Sequence, residues 1–130
     1  MAVEKICVVV VSGTRERLQM AAMAASVAAV SGMEVTIFLS MNAVPYFIKG
    51  ASTDAPSEGK FGELMVQKHA PDFKTLFRQA VELGDAKILP CSMALDIAGI
   101  DTATLEPYLG EPTGLTRLLD LAQGAQVWTF

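Results

Sequence analysis

The sequence predicts a three-layer, doubly wound α/β domain, with a mainly parallel sheet and helices on both faces, built from residues 1–130 as a single unit. Three observations predict it. Uninterrupted β-branched runs, Ile6 to Val11 foremost, suit strands buried on both faces. Segments with helical spacing of apolar residues alternate with those runs. The chain, at 130 residues and 13.8 kDa, is long enough to bury one core without disulfides or metal.

Lys5 to Ser12 reads as the first strand, ended by Gly13. Thr14 is placed to cap a helix over roughly residues 15–31, with Leu18, Met20, Ala21, Ala25, Val27 and Ala28 along it and Ser31-Gly32 as its stop. Its many alanines allow close approach to a sheet. Glu34 to Leu39 supplies a second strand, which completes a right-handed βαβ unit. Pro45 fits the first turn of a short helix through Ile48, ended by Lys49-Gly50.

From Ala51 to Pro71 the composition turns to Ser, Thr, Asp, Pro, Glu, Gly and Lys, with only Phe61, Leu64, Met65 and Val66 apolar between them. A mobile loop over 50–71 is the expectation. Asp72 caps a helix to Leu83 with Gly84 as its stop, and Ala86 to Pro90 forms the third strand. Ser92 to Ala98 is a short helix. Thr113 to Gln123 is another, with Leu115, Leu118, Leu119 and Ala122 directed inward, and Gln126 to Phe130 is the last strand.

Composition narrows the function classes. Ten basic against fourteen acidic residues give a net charge of −4, which repels phosphate backbones, so nucleic acid is not an expected partner. The run Met20 to Val30 is mostly alanine and shorter than the roughly 20 apolar residues a membrane span needs. Ile6 to Val11 is shorter than a secretory core and no small-residue cleavage site follows it, so a cytoplasmic protein is expected. An apolar content of 52% is high for this size and points to a full interior or to surface covered by another subunit.

Chemistry concentrates at Cys91. It follows a buried strand and opens a helix, which is where open α/β sheets place their sites. Amides of the first helical turn, those of Ser92 and Met93 or the next residue, are expected to point toward the sulfur and favour thiolate over a thiol whose ordinary pKa is about 8.5. With no Cys-x-x-Cys spacing there is no resolving thiol. Persulfide formation, oxidation to a sulfenic acid and a covalent thioester all remain open to a single cysteine. Simple packing at a strand-to-helix corner is the bland alternative.

The other candidates are weaker. Cys7 lies mid-strand among valines and reads as core. His69, the only histidine, is the sole available imidazole base but sits in or beside the polar loop, and Asp96 has no assigned catalytic role. Ser12-Gly13-Thr14-Arg15 is a turn whose amides suit an anion, without the full dinucleotide glycine pattern. The substrate-contacting set is accordingly Gly13, Thr14, Asn42, Ser92 and Met93 around Cys91. No metal-ligand spacing and no cofactor motif is read. The seven methionines are expected mainly in packing roles, and Trp128 as a core or interface anchor.

The stretch Pro90-Cys-Ser-Met-Ala-Leu-Asp-Ile-Ala-Gly-Ile100 resembles the cysteine motif of the DsrE/DsrF-like sulfur-relay family, in its peroxiredoxin-like branch. Gly13-Thr-Arg-Glu-Arg-Leu18 and Ser31-Gly-Met-Glu-Val-Thr-Ile-Phe38 resemble that family's first βαβ unit in order and spacing. The resemblance implies a compact α/β fold assembled as trimers or hexamers, with Cys91 passing sulfane sulfur between donor and acceptor proteins of a relay. Cys91 lacks the Thr-x-x-Cys setting of a peroxidase, and Ser40-Met-Asn-Ala-Val-Pro45 departs from the aromatic-rich segment expected after strand two. Two other classes stay open beside the sulfur carrier. One is an oligomeric module binding a small anion or nucleotide, and the other is a thiol redox sensor.

Overall fold

The computed structural model describes residues 4–130 and shows a four-stranded, all-parallel sheet in the order β3-β2-β1-β4, where β1 is Lys5–Val10, β2 Glu34–Leu39, β3 Lys87–Pro90 and β4 Gln126–Thr129. The register runs Lys5 to Glu34 through Val10 to Leu39, then Leu39 to Pro90, with Ile6 opposite Gln126 on the other side of β1. Because β2 and β3 step away from β1 in one direction and β4 returns to its far side, the order reverses at the β1–β4 boundary.

Helices surround the sheet, as the α/β reading requires. α1 (Arg15–Val30) and α3 (Phe73–Gly84) form the β1-to-β2 and β2-to-β3 crossovers and pack against each other. Two right-handed crossovers stepping the same way share a face, and the return to β4 through α4 (Ser92–Ala98) and α5 (Leu115–Leu121) takes the opposite one. The core joins Val8 and Val10 of β1, Ile37 and Leu39 of β2 and Ile88 of β3 with the alanine face of α1 and with Phe47, Phe73 and Phe77.

Several boundaries moved for identifiable reasons. β1 stops at Val10, because the amides of Val11 and Ser12 turn to the carbonyl of Phe130. Thr14 does occupy the cap position of α1, but its hydroxyl donates to Glu58 at 2.6 Å and satisfies no first-turn amide. The helix after β2 is a 3-10 helix that starts at Met41, four residues before Pro45. Residues 50–71 are not loop throughout. Lys60–Gln67 forms α2, a short helix that the Ser, Pro, Glu, Gly and Lys around it hid from a reading by composition, and Gly62 is its one buried residue.

Asp72 caps α3 as expected, accepting from the Thr75 amide at 2.8 Å. The left-handed stop of that helix falls on Asp85, with φ of 56°, and Gly84 serves a different need. A β-carbon on Gly84 would lie 2.4 Å from that of Ala29, so glycine is what lets α3 touch α1. In α5 only Leu118 is buried; Leu115 and Leu119 point outward, against the inward set expected. Met20, Met23, Met41 and Met93 are likewise exposed, which overturns their assignment to the interior.

Candidate functional site

Cys91 is the cap residue of α4, one step past β3. Its amide donates to the Leu39 carbonyl at 2.7 Å, extending the β2–β3 ladder by one bond. On its other side it lies in parallel register with Thr113, whose amide donates to the Pro90 carbonyl at 2.8 Å and whose carbonyl accepts the Ser92 amide at 3.1 Å. A short extended segment at Thr113 thus acts as a further strand beside the cysteine.

This geometry alters the expected electrostatics. The Ser92 amide is committed to Thr113, so it cannot serve the sulfur, and the Cys91 side chain makes no capping hydrogen bond. Cys91 is 6% exposed, and Ser40 and Thr113 beside it are buried as well. Met93 on α4 is exposed two residues beyond Cys91, and Leu115 on α5 is exposed two residues beyond Thr113. Cys7 is 1% exposed in the middle of β1, and burial pushes its thiol above the usual range, which suppresses reactivity.

The second part of the expected site lies beyond the ends of β1 and β2. Gly13, Thr14 and Asn42 line one cavity of about 380 Å³ together with Ser12, Tyr46 and Pro56. Gly13 is there because of close approach, since a β-carbon would sit 2.9 Å from the Asn42 carbonyl oxygen. Tyr46 donates its hydroxyl to the Gly13 carbonyl at 2.9 Å and holds the 3-10 helix against the turn. Cys91, Ser92 and Met93 do not line this cavity, so the structure divides the five-residue contacting set between two places.

The strap formed by residues 54–62 closes over the mouth of α1. Pro56 accepts the Arg15 amide at 2.9 Å, and Asp54 pairs with the Arg15 guanidinium at 2.7 Å. Glu16 accepts from the amides of Glu58, Gly59 and Gly62 at 2.8, 2.8 and 3.2 Å, which hold its carboxyl below the ordinary range. Glu58 is lowered too, first by the Thr14 hydroxyl and then by Arg17 at 2.6 Å. The Arg15 amide is therefore taken and two carboxylates crowd this helix mouth, which disfavours the anion reading of the Ser12–Arg15 turn.

His69, two residues beyond α2 with φ of 54°, lines a different cavity with Arg15, Gln19 and Phe73, and Asp96 is exposed on α4. Sequence reasoning missed Thr113 as the partner of Cys91, Tyr46 as the clamp on Gly13, and Glu16 as the anchor of the strap. The one signal for Thr113 was its place between Pro112 and Gly114, where an extended residue fits. Among the described residues no three or more His, Cys, Asp or Glu side chains converge as a metal site would require, and no helix is long and apolar enough to cross a membrane.

Comparison with known proteins bears on the whole chain. The sequence model of the DsrE/DsrF-like family matches residues 4–130. The ychN protein of E. coli shares the fold with a TM-score of 0.69 at 20% identity, over 99% of this chain and 100% of that one. MTH1491 of Methanobacterium thermoautotrophicum, a protein of unknown function, gives 0.63 at 11% identity over 98% and 99% of the two chains. BT1422 of Bacteroides thetaiotaomicron, a conserved protein of unknown function, gives 0.63 at 14% over 98% and 95%. No curated protein matches the chain.

Proposed function

Because the chain belongs to the DsrE/DsrF-like family, a role of the sulfur-relay type is the natural frame, and within it we propose that Cys91 carries sulfane sulfur as a persulfide. Cys91 thiolate attacks the outer sulfur of a persulfidated donor, the donor thiolate leaves, and a Cys91 persulfide results. An acceptor thiolate then attacks that terminal sulfur and releases Cys91 thiolate, so atoms and electrons balance without an external oxidant. The protein acts as a cytoplasmic, sulfurtransferase-like carrier, as a homo-oligomer, between donor and acceptor proteins.

The observation that carries this reading is the position of Cys91 at a strand-to-helix corner on the carboxyl edge of a parallel sheet. Its near-complete burial suits a carrier, because a persulfide shielded from water and small thiols survives until a partner reaches it. Cys7, mid-strand and desolvated, offers no competing thiol.

The test is intact mass spectrometry after incubation with thiosulfate, polysulfide or a persulfidated donor protein. Wild type is expected to gain one or more sulfur atoms and Cys91→Ser none. Equal gain in both, or gain in neither with any of the three donors, overturns the reading. Oxygen addition at Cys91 under dilute peroxide, without sulfur loading, assigns a redox sensor instead.

A further inference from the structure

Arg15 and Gln19, four residues apart on α1, share one side of the helix, and both are largely withdrawn from solvent, the Arg15 side chain 16% exposed and Gln19 8%. A guanidinium keeps its charge and its N–H donors at any ordinary pH, so burial demands acceptors for them. Arg15 has too few. Its Nη2 donates to Asp54 at 2.7 Å, while its Nε is, among the described residues, the one buried side-chain nitrogen or oxygen without a hydrogen-bond partner. An orphaned buried donor destabilises the chain that carries it, and it marks a place where an acceptor fits.

A cavity of about 270 Å³ opens beside these two residues. Met65, Val66 and His69 line it from α2 and the residues after it, and Phe73 from the start of α3. Its volume is just below the ~300–1,000 Å³ of pockets for drug-sized ligands, so it suits a small molecule. Glu16 and Glu58, which crowd the Ser12–Arg15 turn, are not among its walls, and neither is Cys91. Asp72 is, with its carboxylate oxygens spent on the Thr75 amide and hydroxyl at 2.8 and 2.9 Å.

We propose that this cavity binds a small carboxylate with a short apolar body, at a site apart from Cys91 and independent of the carrier reading. The carboxylate takes the place of Asp54 and accepts from Nε and Nη2 of Arg15 together, a two-bond pairing that Asp54, reaching Nη2 alone, does not make. The Asp54 side chain is 86% exposed and returns to water at little loss, since surface ion pairs are weak. Gln19 spends one N–H on the Pro71 carbonyl at 3.0 Å and has a second to give, and His69 adds an imidazole. Met65, Val66 and Phe73 face the body of the acid. An uncharged amide lacks the charge that Arg15 answers, and an inorganic anion leaves the apolar wall bare.

Titration of isotope-labelled protein with butyrate, butyramide and sulfate, followed by NMR at the Arg15 Nε–H resonance, tests the site. Butyrate at millimolar concentration is expected to shift that resonance saturably, with butyramide and sulfate binding about tenfold more weakly. Asp54→Asn, an exposed change that removes the competing carboxylate, is expected to tighten butyrate binding several-fold. Arg15→Lys keeps the charge without the fork and is expected to weaken it about tenfold, read from the backbone amides of Gln19 and Phe73. The absence of a saturable shift in both wild type and Asp54→Asn overturns the proposal. So does equal binding of butyramide or sulfate, full affinity in Arg15→Lys, or weaker binding in Asp54→Asn than in wild type.

Discussion

Thr113 brackets Cys91 from outside the sheet: its amide reaches the carbonyl of Pro90, its carbonyl takes the amide of Ser92, and the cysteine between those two is held in register with it. The consequence is a cysteine whose backbone is fixed from both sides, by Leu39 and by Thr113. Thr113 is itself buried, and its hydroxyl donates to the Glu111 carbonyl at 2.9 Å, which sets the turn that brings it there.

Thr113→Val keeps the shape and removes that hydroxyl bond. A loss of about 1 kcal/mol is expected in urea unfolding. The rate of Cys91 alkylation in the native protein should rise, since the segment beside it is less firmly placed. An unchanged alkylation rate alongside reduced stability would show that Thr113 does not control access to the sulfur.

The two cysteines should separate cleanly under native labelling. Iodoacetamide at neutral pH is expected to modify Cys91 slowly and Cys7 not at all, because Cys7 is desolvated and its thiol is pushed up. Both react once the chain is unfolded. Peptide mass mapping decides it, and labelling of Cys7 before Cys91 would contradict the assignment.

Acid should release the strap over α1. Glu16 and Glu58 have folded-state pKa values lowered from that of a free glutamate, so their contribution is fully present above about 4.3 and is lost as the pH falls through the folded values. Hydrogen exchange at the amides of residues 58, 59 and 62, corrected for intrinsic rates, is expected to accelerate below that point. Glu16→Gln should reproduce the acceleration at neutral pH, and protection unchanged in that variant would count against the Glu16 anchor.

Helix contact between α1 and α3 depends on the absence of a side chain at Gly84. Gly84→Ala places a β-carbon against both the side chain and the backbone of Ala29, and a cost of about 1–3 kcal/mol is expected from the forced separation. Leu83→Ala next to it, at an exposed position, should change stability by less than about 0.5 kcal/mol. Chemical denaturation of the two variants side by side gives the comparison.

Much of the fold was readable because burial and local chemistry agreed. The β-branched run of β1 has no other use than a strand sealed on both faces, and Asp72 ahead of an amphipathic segment has few uses besides a cap. α2 was missed because Phe61, Leu64 and Met65, although spaced as on one helix face, stand in a stretch of Ser, Pro, Glu, Gly and Lys whose composition reads as loop. The outward leucines of α5 misled for the complementary reason: periodicity shows that a helix has an apolar face and does not say what covers it.

The sequence by itself determined the order of the strands and of the helices other than α2, the cap of α3, the core status of Cys7 and the placement of Cys91 at a strand-to-helix corner, since each follows from contacts within a few residues or from burial that composition enforces. Tertiary structure alone decided that Thr113 flanks Cys91, that the Ser92 amide is spent on it, that Gly13 and Asn42 form a cavity apart from the sulfur, and that Glu16 anchors a strap some forty residues away. Those pairings join segments distant along the chain, and the register that sets them is fixed only when the sheet and its crossovers close together.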